Sequence, residues 1–264
     1  MQWWIAYLAI GAGAGFIAGL LGIGGGAVIV PLLVFVFTAQ DLPAQHVLHM
    51  ALATTMAALI FTSVSSARAH HSRNAVDRPI ARLMVPGILV GAFAAALIAG
   101  MIPTRELAVV FTTLMFTAAT QIILDLRPRA TRATPGPAGI FAAASLIGAI
   151  SSLLAVGGAF LSIPFLTWCN VPLRRAIGTA AANGVPIAAA GTAGYIVQGW
   201  RADGLPAATL GYVYLPALAL IAVMSALIAP LGARLAHRLP VKQLRVLLAL
   251  MLYVVAARLL MRLW

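Results

Sequence analysis

The sequence predicts an all-α integral membrane protein of two inverted repeats, each of about five helical segments, with the first helix pair of each repeat broken at glycine or re-entrant. Three observations predict it: a strongly apolar composition, ten apolar stretches divided by one polar linker, and a glycine motif that recurs in both halves. Of 264 residues, 62% are hydrophobic and only 8% charged, with mean hydropathy +1.03. Ordinary soluble domains carry about a quarter charged residues. A spanning helix takes roughly 20 apolar residues, so the length holds about eight to ten spans and leaves no room for a folded domain outside the bilayer. A soluble enzyme is thereby excluded. The single cysteine, Cys169, cannot form an intramolecular disulfide, and no Cys/His cluster offers a metal cage. Neither a metal nor another cofactor is expected.

Sixteen arginines and one lysine against five acids give a formal charge of +12. In a soluble chain this would suggest nucleic acid. Here the basic residues sit in short connections between apolar runs, where cytoplasmic retention and contact with anionic membrane lipid account for them. No nucleic-acid partner is expected. No basic residue precedes the first apolar run, Trp3 to Leu21, so it is expected to be a retained membrane segment and not a cleaved signal peptide.

The apolar stretches fall at about 3–22, 24–38, 46–67, 80–102 and 106–124, then at 138–156, 158–169, 173–198, 206–233 and 243–263. Between them runs the polar linker 125–137, with Arg127, Arg129, Arg132 and three prolines. The organisation is therefore a first transmembrane repeat at 1–124, a cytoplasmic linker at 125–137 and a second transmembrane repeat at 138–264. Gly15 to Pro31 aligns without a gap on Gly148 to Pro164, with seven of 17 positions identical: Gly15/Gly148, Ile17/Ile150, Leu20/Leu153, Leu21/Leu154, Gly24/Gly157, Gly25/Gly158 and Pro31/Pro164. Chance similarity between apolar stretches matches leucines and alanines; it seldom aligns a Gly-Gly pair with a proline six residues on. The halves read as an internal duplication.

Orientation depends on whether the first two segments of each half return to the side they entered or make one crossing. If each pair returns, the connections at 68–82, 125–132, 170–175 and 234–245 share one side and hold 13 of the 17 Lys and Arg. With single crossings the halves become parallel repeats, and the division falls to ten against seven. The positive-inside rule prefers the first arrangement, an inverted repeat with both chain ends outside.

The glycines carry the most information. Gly22, Gly24, Gly25 and Gly26 in the first half, and Gly157 and Gly158 in the second, each separate two apolar segments of which the second is short. Stretch 24–38 would measure about 22 Å as a helix, too short to span comfortably. Broken backbone at membrane depth is tolerated only inside protein or beside a watery cavity. A helix starting after such a break aims free N–H groups and its positive dipole end at that cavity, which makes an anion site out of backbone. The alternative is close packing or a tight turn, a common use of small residues in membranes. Repetition in both halves favours the site, because inverted-repeat transporters place substrate between such breaks.

The third segment of each half adds polar residues: His49, Thr54 and Thr55 in the first, Thr179 and Asn183 in the second. Aligning Pro43 with Pro172 sets Met50 opposite Thr179 and Thr54 opposite Asn183. Uncharged donors at matching depth can bind oxyanion oxygens without a buried charge; they can equally bond to a neighbouring helix. The candidate substrate-binding set is Gly24, Gly25, Gly26, Met50, Thr54, Thr55, Gly157, Gly158, Thr179 and Asn183, with His49 for proton coupling. His46 and His49 also read as interfacial residues near a segment end. All five acids, Asp41, Asp77, Glu106, Asp125 and Asp203, lie in connections or at segment ends. An interior free of carboxylates suits an anion better than a cation, and proton or sodium antiporters usually need an intramembrane carboxylate. The connection holding His70, His71, Arg68, Arg73 and Arg78 reads either as an electrostatic collar for anions or simply as a topology signal.

These residues resemble the sulfite exporter TauE/SafE family. The resemblance rests on Gly19-Leu-Leu-Gly-Ile-Gly-Gly-Gly26 with Pro31, on His70-His71-Ser-Arg-Asn-Ala-Val-Asp77, and on Ala155-Val-Gly-Gly158 with Pro164; Arg201-Ala-Asp203-Gly-Leu-Pro206 looks like a weakened copy of the connection. It runs over nearly the whole chain. It implies an integral transporter of small sulfur-containing anions such as sulfite or organosulfonates, often outward, in the bacterial cytoplasmic (inner) membrane. The residues alone do not separate a sulfonate from a carboxylate.

Two other classes compete. An intramembrane enzyme needs a nucleophile with a base, or a metal, and no Gly-x-Ser-x-Gly, His-Glu-x-x-His or Glu-Glu pair is present. The chain is therefore not expected to be an enzyme. A non-transporting assembly or scaffold subunit stays open, as does a homodimer, because small residues such as those of Gly91 to Ala99 pack equally well within and between chains.

Overall fold

The computed structural model describes residues 2–21, 25–72, 74–124, 135–236 and part of 246–258. Nine helices run along these described residues: α1 (Gln2–Leu21), α2 (Gly26–Ala39), α3 (Val47–His71), α4 (Arg78–Met101), α5 (Thr104–Ile123), α6 (Pro137–Leu153), α7 (Ala159–Trp168), α8 (Leu173–Gly199) and α9 (Leu215–Ala236), with further helical residues within 246–258. Apart from the start of α9, their bounds follow the apolar stretches to within a few residues, because the stretches end at proline, glycine or charge. Asp77 caps α4 by accepting from the Ile80 amide at 3.3 Å, with Pro79 just inside the helix. α6 opens with Gly136 at its N-cap, without a side-chain cap, and Pro137 just inside the helix.

Among the described residues, four helices, α3, α4, α5 and α8, are long and apolar enough to cross a membrane. Many large apolar side chains point outward, among them Trp4, Ile98, Leu146, Leu227 and Val254. Such a surface is hostile to water and suited to lipid. The second helix of each pair is short as expected: α2 has 14 residues and α7 has ten, about 21 and 15 Å at helical rise.

The stretch 206–233 departs from expectation. Its start is not helical: residues 200–208 form turns, and β1 (Thr209–Leu210) pairs antiparallel with β2 (Val213–Tyr214). Gly204 and Gly211 adopt φ of +75° and +55°, a left-handed backbone that glycine accepts freely and a continuing helix cannot use. Among the described residues, otherwise helical, there is thus one small ribbon, which reaches inward until the Tyr214 amide meets Thr54, eight residues into α3.

At the centre α3 lies against α8, and the largest contacts cross between the halves: α1 packs on α9, α6 on α4 and α4 on α8, while α2 packs on α3 and α7 on α8 within their own halves. The α1/α9 and α6/α4 crossings are made alike. A side chain at Gly15 would strike the backbone of Ser225, and one at Gly148 would strike the backbone of Ile88. Small residues let the helix backbones approach where apolar side chains would hold them apart.

The pairs also share local geometry. Gly25 and Gly158 precede α2 and α7 with φ/ψ of 69°/−9° and 76°/−14°. Pro31 and Pro164 sit six residues later, inside the helices. Beyond them, Thr38 donates its hydroxyl to Val34 O at 2.7 Å and Thr167 to Ile163 O at 2.9 Å. Each chain then turns through a residue of positive φ, Asp41 (53°) and Asn170 (61°), two residues before Pro43 and Pro172.

Connections gather at two ends. At one, the imidazole Nε2 of His46 lies 3.1 Å from Asp203 O, and Thr104 Oγ1 donates to Gln45 O. At the other, Asp77 pairs with Arg175 at 3.8 Å, and buried Ala75 packs on Gly178.

Candidate functional site

Glycine in the left-handed conformation lets the chain leave one helix and begin another in the opposite sense, which L-residues with a side chain do at a cost. Both breaks use it, and they meet. A Cβ placed on Gly26 would lie 1.8 Å from the carbonyl oxygen of Ala155, three residues before Gly158, and 3.0 Å from Leu59 Cδ1. Leu59 is the thirteenth of the 25 residues of α3. A Cβ on Gly158 would meet Ile187 Cδ1 at 2.2 Å, and Ile187 is the fifteenth of 27 in α8. The breaks therefore lie half-way along the two central helices.

The amides of Val28 and Ile29 turn back to Gly25 O at 3.1 and 3.3 Å, and those of Leu161 and Ser162 to Gly158 O at 3.3 and 2.9 Å. The amides that open α2 and α7 have no acceptor within their own helices, and each helix directs its partial positive charge toward the break. Of the acids, Asp41, Asp77, Glu106 and Asp203 occupy connections or a first helical turn. Asp125 lies outside the described residues.

The sequence-predicted residues divide into three groups. Gly25, Gly26, Gly157 and Gly158 form the breaks; Gly24 lies outside the described residues. Thr55 and Asn183 stand one helical turn from Leu59 and Ile187, on the faces of α3 and α8 that pack on the breaks. Thr55 Oγ1 and Asn183 Oδ1 have no hydrogen-bond partner among the described residues, although Asn183 Nδ2 donates to Met84 Sδ at 3.3 Å. Thr54 and Thr179 serve the interhelical role that the sequence left open: Thr54 Oγ1 accepts from the Tyr214 amide at 3.0 Å, and Thr179 Oγ1 from the Asp77 amide at 2.9 Å. Tyr214 and Asp77 are the residues immediately before α9 and α4. Each half thus ties the start of its fourth helix to the third helix of the other half, from opposite ends of the molecule. Met50 is fully buried in the core beside this region.

His49 is set apart, near the end that holds the ribbon. Its Nε2 donates to Ala99 O and Ile102 O at 3.1 and 3.0 Å, and its Nδ1 lies 3.3 Å from Thr104 Oγ1. The ring stacks on Tyr212 at 5.1 Å and 27°. Burial pushes the Tyr212 phenol above its ordinary pKa, so this aromatic pair carries no phenolate at neutral pH. At the opposite end Arg78 donates to His71 Nε2 at 2.9 Å; Arg73 lies outside the described residues.

Sequence reasoning missed Ser152, Ser162 and Tyr195, which are fully buried and whose oxygens have no partner among the described residues. A signal was present for two of them. In the gapless alignment of the glycine motifs, Ser152 and Ser162 stand where the first copy has Gly19 and Ile29. An apolar cavity of about 30 Å³ also touches both breaks, lined by Ile17, Gly25, Val28, Met115, Val156 and Phe160 among others. None of its lining residues carries a polar side chain.

Comparison with known proteins places this geometry in a family. A relative from Haemophilus influenzae described as a probable membrane transporter protein is 36% identical over 250 residues, covering 94% of this chain and 95% of its own length. The probable membrane transporter protein YdhB of Bacillus subtilis is 28% identical over 196 residues, covering 70% of this chain and 76% of its own. A probable membrane transporter protein of Methanocaldococcus jannaschii is 23% identical over 253 residues, covering 89% and 88%. No solved structure matches the chain. The family model described as Sulfite exporter TauE/SafE matches residues 7–259, and the chain belongs to that family of membrane transporters.

Proposed function

We propose that this protein exports a small sulfur-containing anion, sulfite or an organosulfonate, across the bacterial cytoplasmic membrane by alternating access around the paired helix breaks. The observation that carries the reading is the meeting of two left-handed glycine breaks half-way along α3 and α8, with two helix N-termini directed there and the described carboxylates elsewhere. A desolvated anion needs such a place, since burying it without donors or opposing partial charge is prohibitive.

In this reading the halves, 1–124 and 138–264, are inverted repeats joined by a cytoplasmic linker, 125–137, with both chain ends outside. Support comes from the crossed helix contacts and from the grouping of connections at two ends. The Thr54–Tyr214 and Thr179–Asp77 bonds are then the latches of the outer and inner mouths, and transport breaks them in turn. The sulfur chemistry of the substrate rests on the family, and the anion class on the breaks.

A thermal-shift screen of the detergent-purified protein tests the reading against sulfite, thiosulfate, sulfoacetate, isethionate and matched carboxylates. Ligand at about 100 times its Kd stabilises the folded state by about 2.7 kcal/mol, which raises Tm by roughly 5 to 10 °C for a chain of this size. Stabilisation by the sulfur anions is the expected result. A response confined to carboxylates would move the substrate class, and a flat response to every anion would return the glycines to a packing role.

A further inference from the structure

The two breaks are alike in backbone but not in side chains. α7 and α8 are joined by the short 169–172 connection, and Gly158 packs opposite Ile187. One turn nearer the connection on each helix, on the same faces, stand Ser162 and Asn183. Both are buried to within 1% of complete, and Ser162 Oγ lies 3.7 Å from where a Gly158 Cβ would be. Ser162 Oγ and Asn183 Oδ1 nevertheless have no partner among the described residues. One turn to the other side of Ile187, the Met56 methyl and the equally unpartnered Ser152 Oγ close against Gly191, 2.3 and 2.8 Å from where its Cβ would be. In the first half the counterparts of Ser152 and Ser162 are Gly19 and Ile29, and that of Asn183 is Thr54, whose oxygen already accepts the Tyr214 amide. Buried polar atoms are rarely left unbonded, because each costs the desolvation of a group that water would have satisfied.

We propose that the second break is the recognition half of the site: Ser162 donates to the oxyanion, and the Asn183 carbonyl accepts a hydrogen bond from the ligand itself. The amide nitrogen of Asn183 is held on Met84 Sδ, which leaves its buried oxygen as the free acceptor. A fully deprotonated oxyanion cannot satisfy that oxygen. The preferred ligand is a small sulfonate that carries its own O–H or N–H group. This inference rests on the sulfonate reading above.

Isethionate and ethanesulfonate, which differ by one hydroxyl, are the probes, with affinity measured on the purified full-length protein by melting-temperature titration. Wild type is expected to bind isethionate about fivefold more tightly, the worth of one uncharged hydrogen bond. Asn183→Leu is expected to lose that preference while still binding ethanesulfonate, and Ser162→Ala to weaken both ligands alike. Should the Asn183 variant fail to fold, the wild-type ratio and Ser162→Ala still decide. Equal affinity of wild type for the two sulfonates, a preference that survives Asn183→Leu, or no effect of Ser162→Ala would overturn this inference while leaving the transporter reading intact. Binding of neither sulfonate nor sulfite would overturn both.

Discussion

Gly26→Ala is expected to reduce anion transport at least about tenfold while leaving a folded, membrane-inserted protein. The added methyl would sit 1.8 Å from the Ala155 carbonyl oxygen. That neighbour is backbone and cannot rotate away, so the two breaks must separate. Overpacking of this kind costs about 1–3 kcal/mol, a drop of several degrees in Tm for a chain this long and not loss of the fold. Function suffers more than stability because the displaced elements are the two helix N-termini at the centre of the site. Gly13→Ala is the control: a Cβ there meets nothing within 4 Å, so neither flux nor Tm should change. Proteoliposome flux with purified variants, normalised to inserted protein, checks the pair.

The second large effect is on stability. His49→Leu removes the donor that serves Ala99 O and Ile102 O and the ring that stacks on Tyr212. It therefore unties α3 from the end of α4 and loosens the ribbon. The expected loss is about 2–3 kcal/mol, or roughly 5 to 10 °C in Tm. His49→Gln supplies an amide N–H at similar reach and should recover most of it. The same variant tests the role in proton coupling proposed for this residue. A folded His49→Gln protein whose transport no longer responds to an imposed pH gradient would place the coupling proton on His49, and one that keeps the response would leave the ring as a tie between helices.

How much of this was legible without coordinates varied by element, for physical reasons. The glycine pairs were legible because a left-handed turn has few solutions: the aligned Gly25 and Gly158 differ by only 7° in φ. Pro43 and Pro172 were legible as markers just before the third helix of each half because proline fixes φ and cannot continue a preceding helix. Gly15 and Gly148 were visible as identities, but their task of seating α9 and α4 depends on which helices meet. The ribbon at 209–214 was hidden inside a run whose apolar residues suit a helix equally well, and only Gly204 and Gly211 argued otherwise. Hydroxyls were the hardest to read. Thr38, Thr112 and Thr192 satisfy themselves on carbonyls one turn back, as such residues do in helices, whereas Ser162 and Thr55 do not. The two kinds are indistinguishable by residue type, so the alignment marked Ser152 and Ser162 as differing between the halves, but that their oxygens lack partners followed only from how the helices pack. Thr54 and Thr179 were singled out for polarity at the right depth, and the structure shows that polarity engaged by the residues entering α9 and α4.

The most direct test of the central claim is sulfite and sulfonate flux in proteoliposomes containing the purified protein, with Gly26→Ala beside wild type. The account predicts anion movement that saturates with concentration, is absent from empty liposomes and is lost in Gly26→Ala. Flux no greater than in empty liposomes, from protein shown to be folded and inserted, would contradict it.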